Sequence, residues 1–280
     1  MDVRNIDSYN KSYLEGLERS SQFSYSSQYF WWKKYSVLEK SLLKIISENY
    51  SNAVKIRIID IGCQIGHDIF KLSSALKNYN IEWTGIDVNP DFLKICNFRK
   101  SVHCNHRYFF LAASIENLVF KNGGFDIIIS SEVFEHIKNT NAAASSLKNV
   151  LKTDSFLIIS TPNVTNYCFA AGKFISKNII KKIYSDFSEE TKKEFEYKKK
   201  IQVKNEEDHI NLKTMDAWKT IFEKSGFKIL SCKRGSMFYG SKYIDKRPFL
   251  FIIITFCDII FDFIPCFKKW SYNFFLIMKN

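Results

Sequence analysis

The chain has 280 residues, long for one domain and short for two full ones, with 46% hydrophobic and 25% charged residues. Those fractions, with only 10 Gly and 4 Pro, exclude a disordered or collagen-like chain, and the length can bury a core without disulfide staples. A formal charge of +12, from 41 Lys and Arg against 29 Asp and Glu, attracts anionic partners but cannot choose among nucleic acid, anionic lipid and acidic glycan.

Residues 1–50 start polar and turn aromatic and helical around Tyr29-Phe30-Trp31-Trp32, which predicts an N-terminal helical cap ahead of a main domain over 51–280. Core packing is the preferred role of Phe30, Trp31 and Trp32, with the wall of a substrate pocket as the alternative. From Ile56 to Pro162, short β-branched runs alternate with helical stretches. Strands are expected over Ile56–Ile61, Ile81–Asp87, Tyr108–Leu111, Phe125–Ser130 and Phe156–Ser160, with helices over 67–78, 90–98 and 137–151. Apolar strands alternating with helices argue for an α/β fold, a parallel sheet covered on both faces.

An insertion at about 165–208 is lysine-rich. Within Cys168–Phe187, Ile175, Ile179, Ile180, Ile183 and Phe187 recur at helical spacing, with Lys173, Lys177 and Lys181 on another face. An ordinary lid helix with a solvated lysine face is preferred there over a helix lying on anionic lipid. A second insertion at 240–270 carries the apolar stretch Pro248–Phe267. Its uninterrupted run ends at Cys257, short of the roughly 20 residues of a span, and Asp258 and Asp262 each add roughly 2.5–3.5 kcal/mol at a bilayer centre. A packed helix is preferred to a shallow membrane contact.

The strand Ile56–Ile61 runs into Gly62-Cys63-Gln64-Ile65-Gly66 and then a helix from His67. A glycine turn at a strand's carboxyl end lets a ligand approach the backbone, and the helix start offers unpaired N–H groups. Asp87 ends the next strand, where a carboxylate can take both ribose hydroxyls. The plain alternative is a tight turn and a helix-capping Asp. Gln64 stands at the middle position of a GxGxxG fingerprint, and no phosphate-cradling GxxxxGK[ST] occurs. The site therefore suits a ribose–adenine ligand without pyrophosphate better than NAD.

With these residues in view, the chain resembles a class I S-adenosylmethionine (SAM)-dependent methyltransferase. The resemblance rests on Asp60–Gly66, Gly85-Ile-Asp87-Val-Asn-Pro90, Phe125–Ile137, Ile158-Ile-Ser-Thr-Pro-Asn163, Asp208-His-Ile-Asn-Leu212 and Ser225-Gly-Phe227, in order over roughly 56–233. It implies a Rossmann-like, mostly parallel seven-stranded sheet. Phe227–Lys233 is then strand six, and Phe274–Met278 inserts antiparallel between the two strands before it. It also implies SAM as cofactor, held by Asp60, Gly62, Cys63, Gly66, Asp87, Val88, Ser114, Ile115 and Ser131. Where this family usually has Gly, Asp and Pro-Gly-Gly, this chain has Gln64, Ser114 and Thr153-Asp154-Ser155.

Glu132, Glu135 and His136 follow the fourth strand, at the edge where ligands bind, and a spacing of three and four would place them on one helical face. With His209 they resemble the ExxEH…H cation site of small-RNA ribose 2′-O-methyltransferases, and ubiquinone-pathway O-methyltransferases carry a similar string. A divalent cation on Glu132, Glu135, His136 and His209 is one reading, with Mn²⁺, Fe²⁺ or Zn²⁺ suiting two imidazoles better than Mg²⁺. The preferred reading makes His136, with Glu132 and His209, the group that orients or deprotonates the acceptor. Cys96, His103, Cys104 and His106 match no usual zinc spacing and are expected to be helix-end and strand residues, and His67 to face solvent.

Seven cysteines without a CxxC pair and a polar start predict a cytoplasmic setting, with peripheral contact at the inner membrane surface as a further option. The expected activity is SAM-dependent O-methylation of a glycan, lipid-linked precursor or other small molecule. The runner-up is a metal-assisted RNA ribose methyltransferase; nucleic acid ranks lower because no RNA-binding module is recognisable and the charge is spread. A non-catalytic SAM-binding scaffold is a third option.

Overall fold

The computed structural model describes residues 25–103, 106–118, 120–164, 210–238, 242–265, 267 and 271–280. The basic insertion over 165–208 and His209 lie outside the described residues.

Helix α1 (Tyr25–Asn49) precedes β1 (Ile56–Ile61), α2 (His67–Ala75), β2 (Ile81–Asp87), α3 (Pro90–Arg99) and β3 (Arg107–Ala112). There follow β4 (Phe125–Ser131), α4 (Thr140–Val150), β5 (Leu151–Pro162), α5 (Met215–Lys224) and β6 (Lys228–Arg234). A short helix α6 (Lys242–Asp245), a longer α7 (Pro248–Phe261) and β7 (Asn273–Lys279) complete the order. The strands form one seven-stranded sheet in the order β3-β2-β1-β4-β5-β7-β6. As expected, β7 lies between β5 and β6 and runs antiparallel to both. The order reverses between β1 and β4, which leaves a crevice at their carboxyl ends.

The apolar runs are buried on both sides because the pleat sends alternate residues to opposite layers. Ile127 and Ile129 of β4 join Ile58, Ile158 and Ile277 in the core beneath α1, α2 and α3. Ile128 faces the other way, with Ile59, Leu157, Leu276 and the α4 and α5 side chains Leu147, Trp218 and Phe222. Each fully buried side chain of this kind contributes roughly 1.5–3 kcal/mol. Helix starts are set locally: the Asn89 side chain accepts from the Asp91 N–H ahead of Pro90, and Asn139 and Thr214 cap α4 and α5 in the same manner.

Three expectations are corrected. The helix expected over 67–78 stops at Ala75, where a turn begins. The helix expected over 137–151 starts at Thr140, because Asn139 caps it. Of Phe30, Trp31 and Trp32, only Phe30 is buried.

The preference for simple packing of the apolar stretch is corrected too. Helix α7 packs through its polar side, and its one buried residue is Asp258. Phe249, Ile252, Ile253, Phe256, Ile259 and Ile260 are exposed. No helix among the described residues is long and apolar enough to cross a membrane.

Candidate active site

The carboxyl ends of β1 and β2 build one half of the crevice. Gly62, Gln64 and Gly66 all adopt left-handed backbone, with φ of 73°, 46° and 77°. A Cβ on Gly62 would lie 2.5 Å from Val133 Cγ2, and one on Gly66 2.7 Å from Phe70. Glycine is therefore demanded at both positions by conformation and by space. Gln64, the departure from the usual Gly, takes the same left-handed geometry with a side chain attached.

Asp87 ties the loop to β2: its Oδ2 accepts from the Gln64 N–H at 2.9 Å and its Oδ1 from the Asn89 N–H at 2.8 Å. Each carboxylate oxygen keeps a second lone pair for a ligand hydroxyl. Val88 is exposed next to it. The end of β3 joins the same corner, since the Ala113 N–H donates to the Asp87 carbonyl at 3.2 Å. Ser114 then caps a single turn over Ile115–Asn117, accepting from the Glu116 N–H at 3.2 Å, and Ile115 is buried.

Beneath the loop lies Asp60, 2% exposed, whose Oδ2 has no hydrogen-bond partner. Burial first, and then the neighbouring Asp68 charge, push its carboxyl well above the ordinary range, while Lys34 opposes the shift. Cys63 is buried too, and its hydrogen bond with Cys96, followed by burial, keeps its thiol protonated. Helix α1 supplies residues the sequence reading missed. Lys34 and Tyr35 both reach Asp68, at 3.3 Å and 3.0 Å, and Lys34 is buried. Tyr35 also lines a groove of about 620 Å³ with Trp31, Trp32, Glu39, Lys40 and Lys71. No local signal in α1 pointed to a partner more than thirty residues away.

The other half of the crevice follows β4. Ser131 Oγ and Ser160 Oγ lie 2.9 Å apart, and Ser160 donates to Glu132 Oε1 at 2.8 Å. Asn273 of β7 donates to the same oxygen at 3.2 Å. Glu132, Glu135 and His136 do not share a helical face, which corrects the spacing argument. Glu132 is left-handed at φ 55°, and Phe134–His136 forms a single 3₁₀ turn. Glu135 therefore points inward, 1% exposed, and accepts from Thr161 Oγ1 at 3.2 Å, whereas His136 points outward with its Nε2 3.9 Å from Glu135 Oε1. Burial, then the Glu132 charge, push the Glu135 carboxyl up to about 8.

Among the described residues, no three His, Cys, Asp or Glu side chains are arranged to hold a metal ion. Glu132 is engaged by Ser160 and Asn273, and Glu135 is buried against Thr161 while His136 points outward, so the described members of the expected cation site do not converge as ligands. His209 is outside the described residues. The chain just beyond it is anchored here, with the Asn211 N–H donating to the Glu135 carbonyl at 3.0 Å. His106 bonds to the Ser73 carbonyl, and His103, at the end of a short 3₁₀ turn, stacks on Phe70; Cys104 is outside the described residues. His67 is exposed.

The family model for a methyltransferase domain matches residues 52–226. The ubiquinone biosynthesis O-methyltransferase of Rickettsia prowazekii is 27% identical over 188 residues, 62% of this chain and 68% of that protein. The malonyl-[acyl-carrier protein] O-methyltransferase of Bacillus cereus is 29% identical over 161 residues, 54% of this chain and 53% of that protein. Matches to the curated relatives thus span from about half to nearly three quarters of their length. In fold, the chain is similar to a SAM-dependent methyltransferase of Thermotoga maritima described as a possible histamine N-methyltransferase. That likeness has a TM-score of 0.52 at 13% identity and covers 96% of each chain. With a family match over more than half its length and this strand order, the chain belongs to the methyltransferase domain family, on the fold of the SAM-dependent methyltransferases.

Proposed function

We propose that the protein transfers a methyl group from SAM to a hydroxyl oxygen of a small molecule, a glycan or a lipid-linked precursor. The observation that carries this reading is the corner made by Asp60, the Gly62–Gly66 loop and Asp87 at the reversal point of the sheet. It fits the cofactor: a buried carboxyl oxygen lacks a partner, the loop backbone turns left-handed at Gly62 and Gly66, and Asp87 faces the loop with lone pairs to spare. In this assignment Gly62, Cys63 and Gly66 form the wall at the methionine end with Asp60. Asp87 and Val88 flank the ribose, Ser114 and Ile115 the adenine, and Ser131 the opening to the acceptor. O-methylation is supported by the names of the curated relatives.

SAM supplies a methyl carbon already activated by its sulfonium sulfur. The chain's own task is alignment, exclusion of water and removal of the acceptor's proton. His136 is the described imidazole at this edge, exposed and held beside Glu135, and it would accept the proton of the acceptor hydroxyl. Glu132, fixed by Ser160 and Asn273, positions the acceptor. The Trp31, Trp32 and Tyr35 groove offers an aromatic surface for a flat or amphipathic acceptor. A cytoplasmic site of action belongs to the same reading.

The test is incubation with methyl-labelled SAM and fractionated lysate, with and without Mn²⁺. Label in glycan, lipid or small-molecule fractions supports the proposal and narrows the acceptor. Nuclease-sensitive label that requires Mn²⁺ would replace it with RNA ribose methylation. Failure to bind S-adenosylhomocysteine would remove the cofactor assignment itself.

A further inference from the structure

Helix α7 has its polarity reversed with respect to an ordinary packed surface helix. Asp258 faces inward and is fully buried, while Phe249 and Phe263, just past the helix end, are 83% and 82% exposed. Ile252, Ile253, Phe256, Ile259 and Ile260 are exposed with them. A contiguous apolar surface of this kind marks a contact with something other than water.

The orientation is fixed from inside. Asp258 accepts from Tyr29 Oη and Lys33 Nζ of α1, each at 2.7 Å, and from the Met237 N–H at 3.0 Å. Arg234 of β6 pairs with the same carboxylate and, at 2.9 Å, with Asp262. Lys33 also reaches Asp262, at 3.0 Å. Two acids and two bases thus balance beneath the helix. Rolling the apolar side inward would break all of these contacts, so the fold holds that side outward. Helix α7 lies beyond residues 52–226, the part matched by the methyltransferase domain model.

We infer that α7 seats the protein on an anionic lipid surface, lying in the interface with its apolar side down. Charge selects lipid over a second copy of the chain. Exposed Lys246 and Arg247 lead directly into the helix, and the whole chain carries +12. A basic rim of this kind complements anionic headgroups and would repel its own copy. The aromatic neighbours fit the same placement. Tyr25 and Tyr29 have ring centroids 6.2 Å and 6.3 Å from Phe251, Trp32 packs 5.6 Å from Tyr29, and Tyr25 and Trp32 are exposed. Tyr and Trp favour the headgroup level, where one end of the ring is wet and the other apolar. At 1.5 Å per residue, fourteen residues span about 21 Å, enough to lie in an interface and too short to cross it.

The inference is independent of the reaction assigned to the crevice. Its test is flotation of the full chain with vesicles of phosphatidylcholine alone and of phosphatidylcholine mixed equally with phosphatidylglycerol. Binding is expected only to the anionic vesicles and should weaken with added salt. Ile253→Asp with Phe256→Asp should reduce partitioning by about tenfold or more, and Lys246→Glu with Arg247→Glu should remove the preference for phosphatidylglycerol. Melting temperature and S-adenosylhomocysteine binding of the Ile253→Asp with Phe256→Asp variant should stay unchanged, because these side chains are exposed and distant in sequence from the loop. Absence of binding to either vesicle overturns the inference. So does a dimer in sedimentation analysis that Ile253→Asp with Phe256→Asp dissociates, since it would assign the face to a second copy.

Discussion

Replacing Asp258 by Asn keeps the volume of the side chain and removes its charge. Lys33 and Arg234, whose side chains are 4% and 3% exposed, would lose the Asp258 charge and keep Asp262, at 3.0 Å and 2.9 Å, together with the Asp258 backbone carbonyl. Removing one partner of a buried ion pair costs roughly 3–5 kcal/mol, because the desolvated partner is left without compensation. Asp262 survives in the variant but is 37% exposed, which screens its attraction and places the cost near the lower end, about 3 kcal/mol. For a domain of this size that corresponds to a fall in melting temperature of about 6–12 °C. Thermal and urea unfolding of the wild type and Asp258→Asn measure it directly. Adding Arg234→Met to the variant restores a balance of one acid and one base, and should return part of the loss as a non-additive coupling of roughly 1 kcal/mol or more. A drop below about 1 kcal/mol, or strict additivity of the two substitutions, would refute the clamp reasoning.

Three other outcomes are expected. Asp87→Ala removes a carboxylate that holds two loop N–H groups and faces the assigned ribose, and should weaken S-adenosylhomocysteine binding by roughly 10–100-fold in calorimetry; unchanged affinity would displace the nucleoside from this corner. Glu135 keeps its proton in the folded state up to about pH 8, while the unfolded chain releases it near 4.5. Its stabilising contribution is therefore complete below pH 4.5 and lost as pH rises through 8, on the order of 5 kcal/mol in all, and Glu135→Gln should flatten the melting temperature against pH over that window. Gln64 sits at φ 46°, so Gln64→Gly should change unfolding free energy by less than about 0.5 kcal/mol while Gln64→Val lowers it by roughly 1–2 kcal/mol; equal effects would show that the left-handed backbone carries no cost.

Much of the fold was legible because it is written in local pattern. The runs at Ile56–Ile61 and Phe125–Ser131 are mostly isoleucine, as a doubly covered parallel strand requires, with Asp60, Asp126 and Ser130 as their buried polar exceptions. The departures from the family pattern were visible too, and the structure gives them a geometric meaning. Gln64 and Asp154, which stand at or within segments where glycine is usual, both take left-handed backbone, with φ of 46° and 62°. The spacing of Glu132, Glu135 and His136 misled because it assumed a helix. A left-handed Glu132 and a 3₁₀ turn send Glu135 into the core and His136 to the surface.

The sequence by itself determined the α/β class, the strand identities, the glycine loop and the acidic end of β2, since periodicity and turn chemistry act over a few residues at a time. Tertiary structure alone decided which charges meet. Lys33 and Asp258 are 225 positions apart, and nothing in either neighbourhood names the other. That pairing also decided which side of α7 faces water. By hydropathy the helix reads as a core segment, and a buried carboxylate with two basic partners turns its apolar side outward because leaving that charge unpaired would cost more than exposing the hydrocarbon.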